Sequence, residues 1–307
     1  MRVLITGGAG FIGSHIAEQL QGQADVRVLD NLRSGYRRNL AGLQAEFVEG
    51  SILDRDLLAR AMDGVDYVFH LAAMISVPES MLQPAECEEV NSIGTLNVLA
   101  AAARAKVKKL CFSTSAAIYG DNPVVPKREE MIPEPKSPYA VTKLAGEYYG
   151  AMYTREHGLP TACLRYFNVF GPRQDPASAY AAAVPIFIAK ALRNEPLTIF
   201  GDGEQTRDFI FVKDIVAANL HFALHSDATG VFNVAYGGRI TINALARRIV
   251  ELTGSTSEIR HLPERLGDVK HSLAAVDKLR ATGFRPAADF AAGLEQTIAF
   301  FANTPTA

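Results

Sequence analysis

Tyr139 and Lys143 stand four residues apart in Ser137-Pro138-Tyr139-Ala140-Val141-Thr142-Lys143. On a helix that spacing puts both side chains on one face, separated by about 6 Å of rise. A phenol beside an ammonium is a candidate general base, because the cation favours the phenolate and lowers a pKa that starts at about 10. Ser113-Thr114-Ser115, closing the preceding apolar run, adds a hydroxyl that could carry a proton or hold a reacting oxygen. The same spacing also describes an ordinary Tyr-Lys pair on a helix surface.

What such a base would work with is suggested by Gly7-Gly8-Ala9-Gly10-Phe11-Ile12-Gly13, which follows the apolar run Val3-Leu4-Ile5. A strand, a tight glycine turn and a helix form a phosphate cradle: glycines let the backbone approach a pyrophosphate, and the helix start attracts its charge. Asp30, at the end of the second strand, can accept both ribose hydroxyls and repels a 2′-phosphate, which favours NAD over NADP. Arg33 lies close by and counts the other way. His70-Leu71-Ala72-Ala73 follows another strand; His70 reads as a packed, hydrogen-bonded imidazole ahead of a catalytic one. No His, Cys or Asp cluster has metal-ligand spacing, so no metal is expected.

These groups need a scaffold. Val3-Leu4-Ile5, Val26 to Leu29, Phe47-Val48, Val65 to His70, Leu110 to Phe112 and Ala162 to Arg165 read as strands. Helical segments between them cover Ile12 to Leu20, Leu57 to Met62, about 87–105, and a stretch starting near Tyr139. Continuous apolar strands separated by helices imply a parallel sheet covered on both faces, and right-handed crossovers make it doubly wound. The expected fold is therefore α/β, a Rossmann sheet with a smaller mixed α/β substrate-binding domain. The division is 1–168 for the dinucleotide and 169–307 mainly for substrate, with segments interleaved. In the second part prolines punctuate the pattern, Leu197 to Phe200 is a strand, and Asp214 to Leu224, Ile242 to Leu252 and Leu273 to Leu279 are helical.

The 307 residues are 48% hydrophobic and 21% charged, an ordinary globular composition. A formal charge of -2, from 31 basic and 33 acidic residues, gives no basic block for nucleic acid or an anionic membrane. Cys87, Cys111 and Cys163 are too few and too scattered for a disulfide framework, which fits a reducing, cytoplasmic setting. The first strand begins at residue 2, leaving no room for a cleavable leader, and no apolar run is long enough to span a bilayer.

The chain resembles the extended short-chain dehydrogenase/reductase family, and within it the nucleotide-sugar 4-epimerases. The resemblance runs from Met1 to about residue 300. It is carried by Gly7-x-x-Gly10-x-x-Gly13, Tyr139-x-x-x-Lys143, Leu164 to Arg173, the stretch Gly201 to Asp214, and Arg265-Leu266-Gly267-Asp268. It implies that Tyr139 is the base, Lys143 its ribose-binding partner and Ser115 the hydroxyl at the sugar O4. NAD contacts would come from Gly7, Gly10, Phe11, Ile12, Gly13, Asp30, Asn31, Ser51, Ile52, Leu71, Ala72, Ala73, Asn91 and Tyr166, besides Tyr139 and Lys143. Asn168, Arg207, Arg265, Asp268 and Ser272 would hold a UDP-sugar, the two arginines at its diphosphate. Ser272 matches a position where some epimerases carry a tyrosine, so it leaves room for an N-acetyl group.

Two departures matter. Related dehydratases carry an Asp-Glu pair where this chain has Ala116 and Ala117, which leaves water elimination without proton carriers; decarboxylases use a similar Glu. Ser51 replaces an Asp that usually meets the adenine amino group, so that anchor has lost its charge. The resemblance also implies a homodimer through helices at about 87–105 and 139–157, with alanines 100, 101, 102, 103 and 105 allowing close approach. A net nucleotide-sugar dehydrogenase or reductase, and an NAD-responsive binding protein without catalysis, remain alternatives.

Overall fold

The computed structural model describes residues 1–176, 182–264 and 270–303. The first part of the chain alternates β1 (Arg2–Thr6), α1 (Phe11–Gln19), β2 (Asp25–Asp30), β3 (Ala45–Glu49), α2 (Arg55–Ala61) and β4 (Tyr67–His70). Two short helices, α3 (Val77–Leu82) and α4 (Pro84–Glu88), precede α5 (Gly94–Arg104), β5 (Lys109–Ser115), α6 (Pro138–His157) and β6 (Thr161–Tyr166). The remainder runs β7 (Asn168–Phe170), α7 (Ala183–Leu192), β8 (Leu197–Phe200), β9 (Thr206–Arg207), β10 (Phe209–Phe211), α8 (Val212–Leu220), β11 (Gly230–Val234), β12 (Ile240–Thr241), α9 (Ile242–Thr253), β13 (Ile259–Leu262), α10 (Asp277–Ala281) and α11 (Phe290–Asn303).

Seven strands pair in parallel in the order β11-β6-β5-β4-β1-β2-β3. The strands read as unbroken apolar runs because alternate side chains enter two different cores. Val3, Ile5, Val28 and Leu164 point to a core shared with Ile16 of α1 and Ile215 of α8. Leu4, Leu29, Leu110 and Cys163 point to the opposite one, with Leu58 of α2 and Val98 of α5. A third core joins Phe187 and Ile188 of α7 to Leu245 and Ile249 of α9 and Leu294 of α11. All three cysteines are free and buried.

β11 was not legible as a strand of this sheet. It comes from the second half of the chain and pairs along β6, Gly230 opposite Ala162 through Val234 opposite Tyr166. Two further expectations differ. The helix expected over 87–105 is α4, a wide π-helical turn over Glu89–Ile93, and α5. The helix expected over Leu273 to Leu279 shrinks to α10, because Ala274 N–H and Ala275 N–H donate across the chain, to Asp208 Oδ2 and Lys127 O. Helix α6 starts where its sequence says. Ser137 caps Ala140 N–H at 3.2 Å, Pro138 takes the first position, and Gly158 ends the helix at φ 64°.

Candidate active site

A cavity of about 770 Å³ opens along the carboxyl ends of the sheet strands. One end is backbone. Gly7 turns at φ 71°, and a Cβ there would lie 2.7 Å from Ala72 N; a Cβ on Gly13 would lie 2.4 Å from Gly7 O. Both approaches are closed to any side chain. Gly10 precedes α1 without a side-chain cap, so the first-turn N–H groups remain available to an anion. Asp30 is buried beside this cradle, with Oδ2 accepting from Ala9 N at 2.9 Å and Oδ1 from Leu32 N at 2.8 Å. Burial raises its pKa above the usual carboxylate value, and the two N–H donors work against that.

The other end is made of side chains. Ser113, Thr114 and Ser115 from the end of β5, Tyr139 from α6 and Tyr166 from β6 all face the cavity. Ser115 stands beside Tyr139, close enough for its hydroxyl to favour the ionised phenol. The Ser115 hydroxyl also accepts from Ala117 N at 3.1 Å, which fixes its place in the turn where Ala116 and Ala117 stand. Lys143 is 3% exposed; its Nζ donates to Ser113 O at 2.8 Å and lies 5.8 Å from the centre of the Tyr139 ring.

The expected phenolate is not what these surroundings favour in the protein alone. Burial raises the Tyr139 pKa, and the neighbouring Ser115 hydroxyl only partly offsets it. The same burial lowers Lys143 to about 8. Desolvation penalises the charge on either group, so it outweighs the help the ammonium could give the phenol.

The expected cofactor residues Gly7, Gly10, Phe11, Ile12, Gly13, Asp30, Asn31, Ser51, Ile52, Leu71, Ala72, Ala73, Tyr139 and Tyr166 all line this one cavity. Lys143 and Asn91 stand behind its wall. Asn91 is 2% exposed and spends its amide on protein, accepting from Met74 N at 2.7 Å and donating to Met74 O at 3.0 Å and Thr142 Oγ1 at 3.1 Å. It therefore pins Met74, which does face the cavity, to the helix that carries Tyr139. Ser51 Oγ accepts from Leu53 N at 3.2 Å and keeps a proton to donate. His70 is fully buried between Thr6 Oγ1 at 2.7 Å and Thr95 Oγ1 at 2.9 Å, stacked on Phe112. Burial lowers it to about 3, so it is a neutral core histidine.

The residues expected at the substrate gather on another ridge. Asn168 N and Nδ2 both donate to Asp208 O, at 3.2 and 3.1 Å. Thr206 O accepts from Ser272 N and from Arg207 Nη1, each at 3.0 Å. Thus Asn168, Arg207 and Ser272 are drawn to one short segment, although none lines the cavity. Arg265 and Asp268 lie outside the described residues.

Sequence reasoning missed the group that organises this ridge. Asp208 is fully buried, and its carboxylate accepts from Tyr236 N, Gly237 N and Ala274 N at 3.1 to 3.2 Å. Burial pushes it up to about 6. The available signal was a lone carboxylate beside the apolar run Phe209-Ile210-Phe211. Arg173 and Asp175 also reach the cavity wall unforeseen. Among the described residues no group of three or more His, Cys, Asp or Glu could hold a metal.

A family model described as the NAD dependent epimerase/dehydratase family matches residues 3–235. The chain is 37% identical over 304 residues to a putative UDP-glucose 4-epimerase of Methanocaldococcus jannaschii, covering 98% of each. Among solved structures it resembles a UDP-N-acetylglucosamine 4-epimerase from Methanobrevibacter ruminantium, in complex with UDP-N-acetylmuramic acid. That match has TM-score 0.94 and 42% identity, over 98% of this chain and 97% of that one. It is similar also to a Thermus thermophilus UDP-glucose 4-epimerase in complex with NAD, with TM-score 0.91 and 37% identity over 99% and 100%.

Proposed function

The chain belongs to the NAD-dependent epimerase/dehydratase family, and we propose that it is a UDP-hexose 4-epimerase. It interconverts UDP-glucose with UDP-galactose, and UDP-N-acetylglucosamine with UDP-N-acetylgalactosamine, through a transient 4-keto sugar. The observation that carries this reading is the pairing of Ser115 and Tyr139 at one end of a cavity whose other end is a glycine cradle.

The cradle, Asp30 and the small residues Ala72 and Ala73 fit a dinucleotide: side chains are excluded where a pyrophosphate must approach, and a carboxylate waits for the ribose. Bound NAD supplies the acceptor, and then the donor, of the hydride at C4. Ser115 holds the O4 hydroxyl against Tyr139, and the phenol takes its proton and later returns it. Lys143 is locked to Ser113 O, so it offers a fixed positive end to the ribose side of the site. Ala116 and Ala117 put no acid or base beside C5 or C6, which leaves the keto sugar nothing to do but turn and be reduced. Arg207 and Arg265 anchor the diphosphate during that turn, so binding energy is placed on a group remote from the reacting carbon.

Purified protein given each UDP-sugar should yield the 4-epimer with no change in total NADH. Stoichiometric NADH formation or consumption would assign it to the dehydrogenases and reductases instead; no conversion and no redox change would leave a binding protein. Substrate breadth rests on Ser272, a small, half-buried side chain. Ser272→Tyr should cut conversion of the acetylated pair much more than that of UDP-glucose and UDP-galactose, and equal losses would refute the assignment.

A second copy of the chain is the natural cover for α6. Val141, Tyr148 and Met152 recur along one face of that helix and are 47%, 63% and 37% exposed, with Ile93 exposed on the preceding wide turn. Ala101 and Ala102 do not contribute to such a face, because they pack into their own domain. Light scattering should report twice the chain mass, and a persistent monomer would remove the dimer from the reading. Among the described residues no helix is long and apolar enough to cross a membrane. Three buried free thiols support a cytoplasmic setting.

A further inference from the structure

We propose that Glu79 and Glu86 set the preference of the dinucleotide site for a cofactor without a 2′-phosphate, by occupying Arg33. The inference rests on the dinucleotide reading of the cavity and is independent of the sugar chemistry.

The geometry begins at Asp30. The chain wraps round its carboxylate: Leu32, at φ 59°, donates its N–H to Asp30 Oδ1 at 2.8 Å, and Arg33 N donates to Asn31 Oδ1 at 3.2 Å. This turn delivers Arg33 to the cavity wall three residues after the carboxylate, next to Ser34 and Gly35. A guanidinium just past the second strand of such a sheet is the group that pairs with a 2′-phosphate, since its planar fork matches phosphate oxygens.

Here both terminal nitrogens of the fork are already engaged. Arg33 Nη2 donates to Glu79 Oε1 at 2.9 Å, and Nη1 is paired with Glu86 Oε1. Glu79 sits in the first turn of α3, where its own N–H is capped by Ser76 Oγ at 3.1 Å; Glu86 sits in the first turn of α4. Both carboxylates are thus held on helices rather than on loose chain. Two carboxylates, those of Glu79 and Glu86, hold one guanidinium, and Asp30 lies on the same cavity wall, so a 2′-phosphate would meet surplus negative charge and a guanidinium already neutralised by its partners. The other arginine on the wall, Arg173, is held by Glu18 at 2.9 Å and by Ser14 Oγ at 3.4 Å.

The two ion pairs are about a third exposed at each partner, so they contribute little to folding and can be removed without unfolding the chain. Glu79→Gln with Glu86→Gln keeps the side-chain shapes and frees the charge. The parent and the double variant are each equilibrated with equal, excess NAD and NADP, then stripped with acid, and the released nucleotides are quantified. The parent should release NAD. In the double variant the NADP-to-NAD ratio should rise by about tenfold or more, the scale of one charge-assisted bond. Adding Arg33→Ala should abolish the gain. A folded double variant with an unmoved ratio, or a gain that survives loss of Arg33, overturns the proposal. A parent that binds neither nucleotide would instead overturn the dinucleotide reading beneath it.

Discussion

The two ends of the cavity are built from different materials. At the glycine cradle the recognition surface is backbone, and every element of it lies between Val3 and Asp30. At the reacting end it is side chains, brought from β5, α6 and β6, with a ridge behind them tied together by Asp208. At its glycines the first end tolerates no change of shape, and side-chain chemistry enters it only at the ribose edge, through Asp30 and Arg33. The second depends on a few polar atoms, brought together from elements distant in sequence. Binding of the cofactor and chemistry on the sugar should therefore fail independently.

The largest effect should come from the chemical end. Tyr139→Phe removes the proposed proton acceptor while keeping the ring, so turnover should drop by roughly two to four powers of ten. Bound NAD and the melting temperature should stay close to those of the parent. Near-parental turnover in a variant saturated with NAD would break the contrast, because the phenol would then not be the base.

Gly13→Ala tests the opposite end and adds only a methyl. Its Cβ must displace Gly7 O, 2.4 Å away, and Gly8 Cα, 2.7 Å away, both main-chain atoms. The variant should lose copurifying nicotinamide and about 1–3 kcal/mol of stability, the usual range for overpacking. Retained nicotinamide at parental occupancy would show that the cradle has more slack than its distances allow.

The smallest effect concerns the sheet beneath both ends. His70 is held neutral down to about 3, whereas an unfolded histidine takes a proton below about 6.5. Between those values the unfolded chain binds more protons, so this contribution is complete above pH 6.5 and is lost as the pH falls towards 3. Asp208, raised to about 6, gives the opposite slope between about 4 and 6, so the readout must be a difference between proteins. The stability advantage of the parent over His70→Gln, from urea midpoints, should be larger at pH 7 than at pH 4.5. An advantage that does not change with pH would mean that His70 titrates normally in the fold.

The same contrast explains what could be read in advance. The glycine turn, Asp30 and the Tyr-Lys spacing are local patterns whose meaning is complete within a few residues, and they led to the sheet, to the cavity and to Ser115 and Tyr139 on its wall. Asn91 was placed on the correct helix, but the wide turn at Glu89–Ile93 points its amide at Met74 and Thr142 rather than at the cavity. Arg33 looked like a free cation because its partners are 46 and 53 residues away. Asp208 was invisible for the same reason: its donors at 236, 237 and 274 are assigned only when the chain returns. The failed helix over Leu273 to Leu279 belongs with it, since those N–H groups are claimed by distant acceptors.

The seventh strand has a practical consequence. β11 hydrogen-bonds along β6 from Ala162 to Tyr166, and Phe222 and Phe232 fill the core on that side of the sheet. A gene fragment ending at residue 168 would strip both away, exposing a parallel strand that is buried along its whole length as a sheet margin ready to zip onto its neighbours. Anyone wishing to borrow this cradle as a portable nicotinamide module should splice a substitute for Gly230–Val234 beside β6, since a simple truncation invites inclusion bodies.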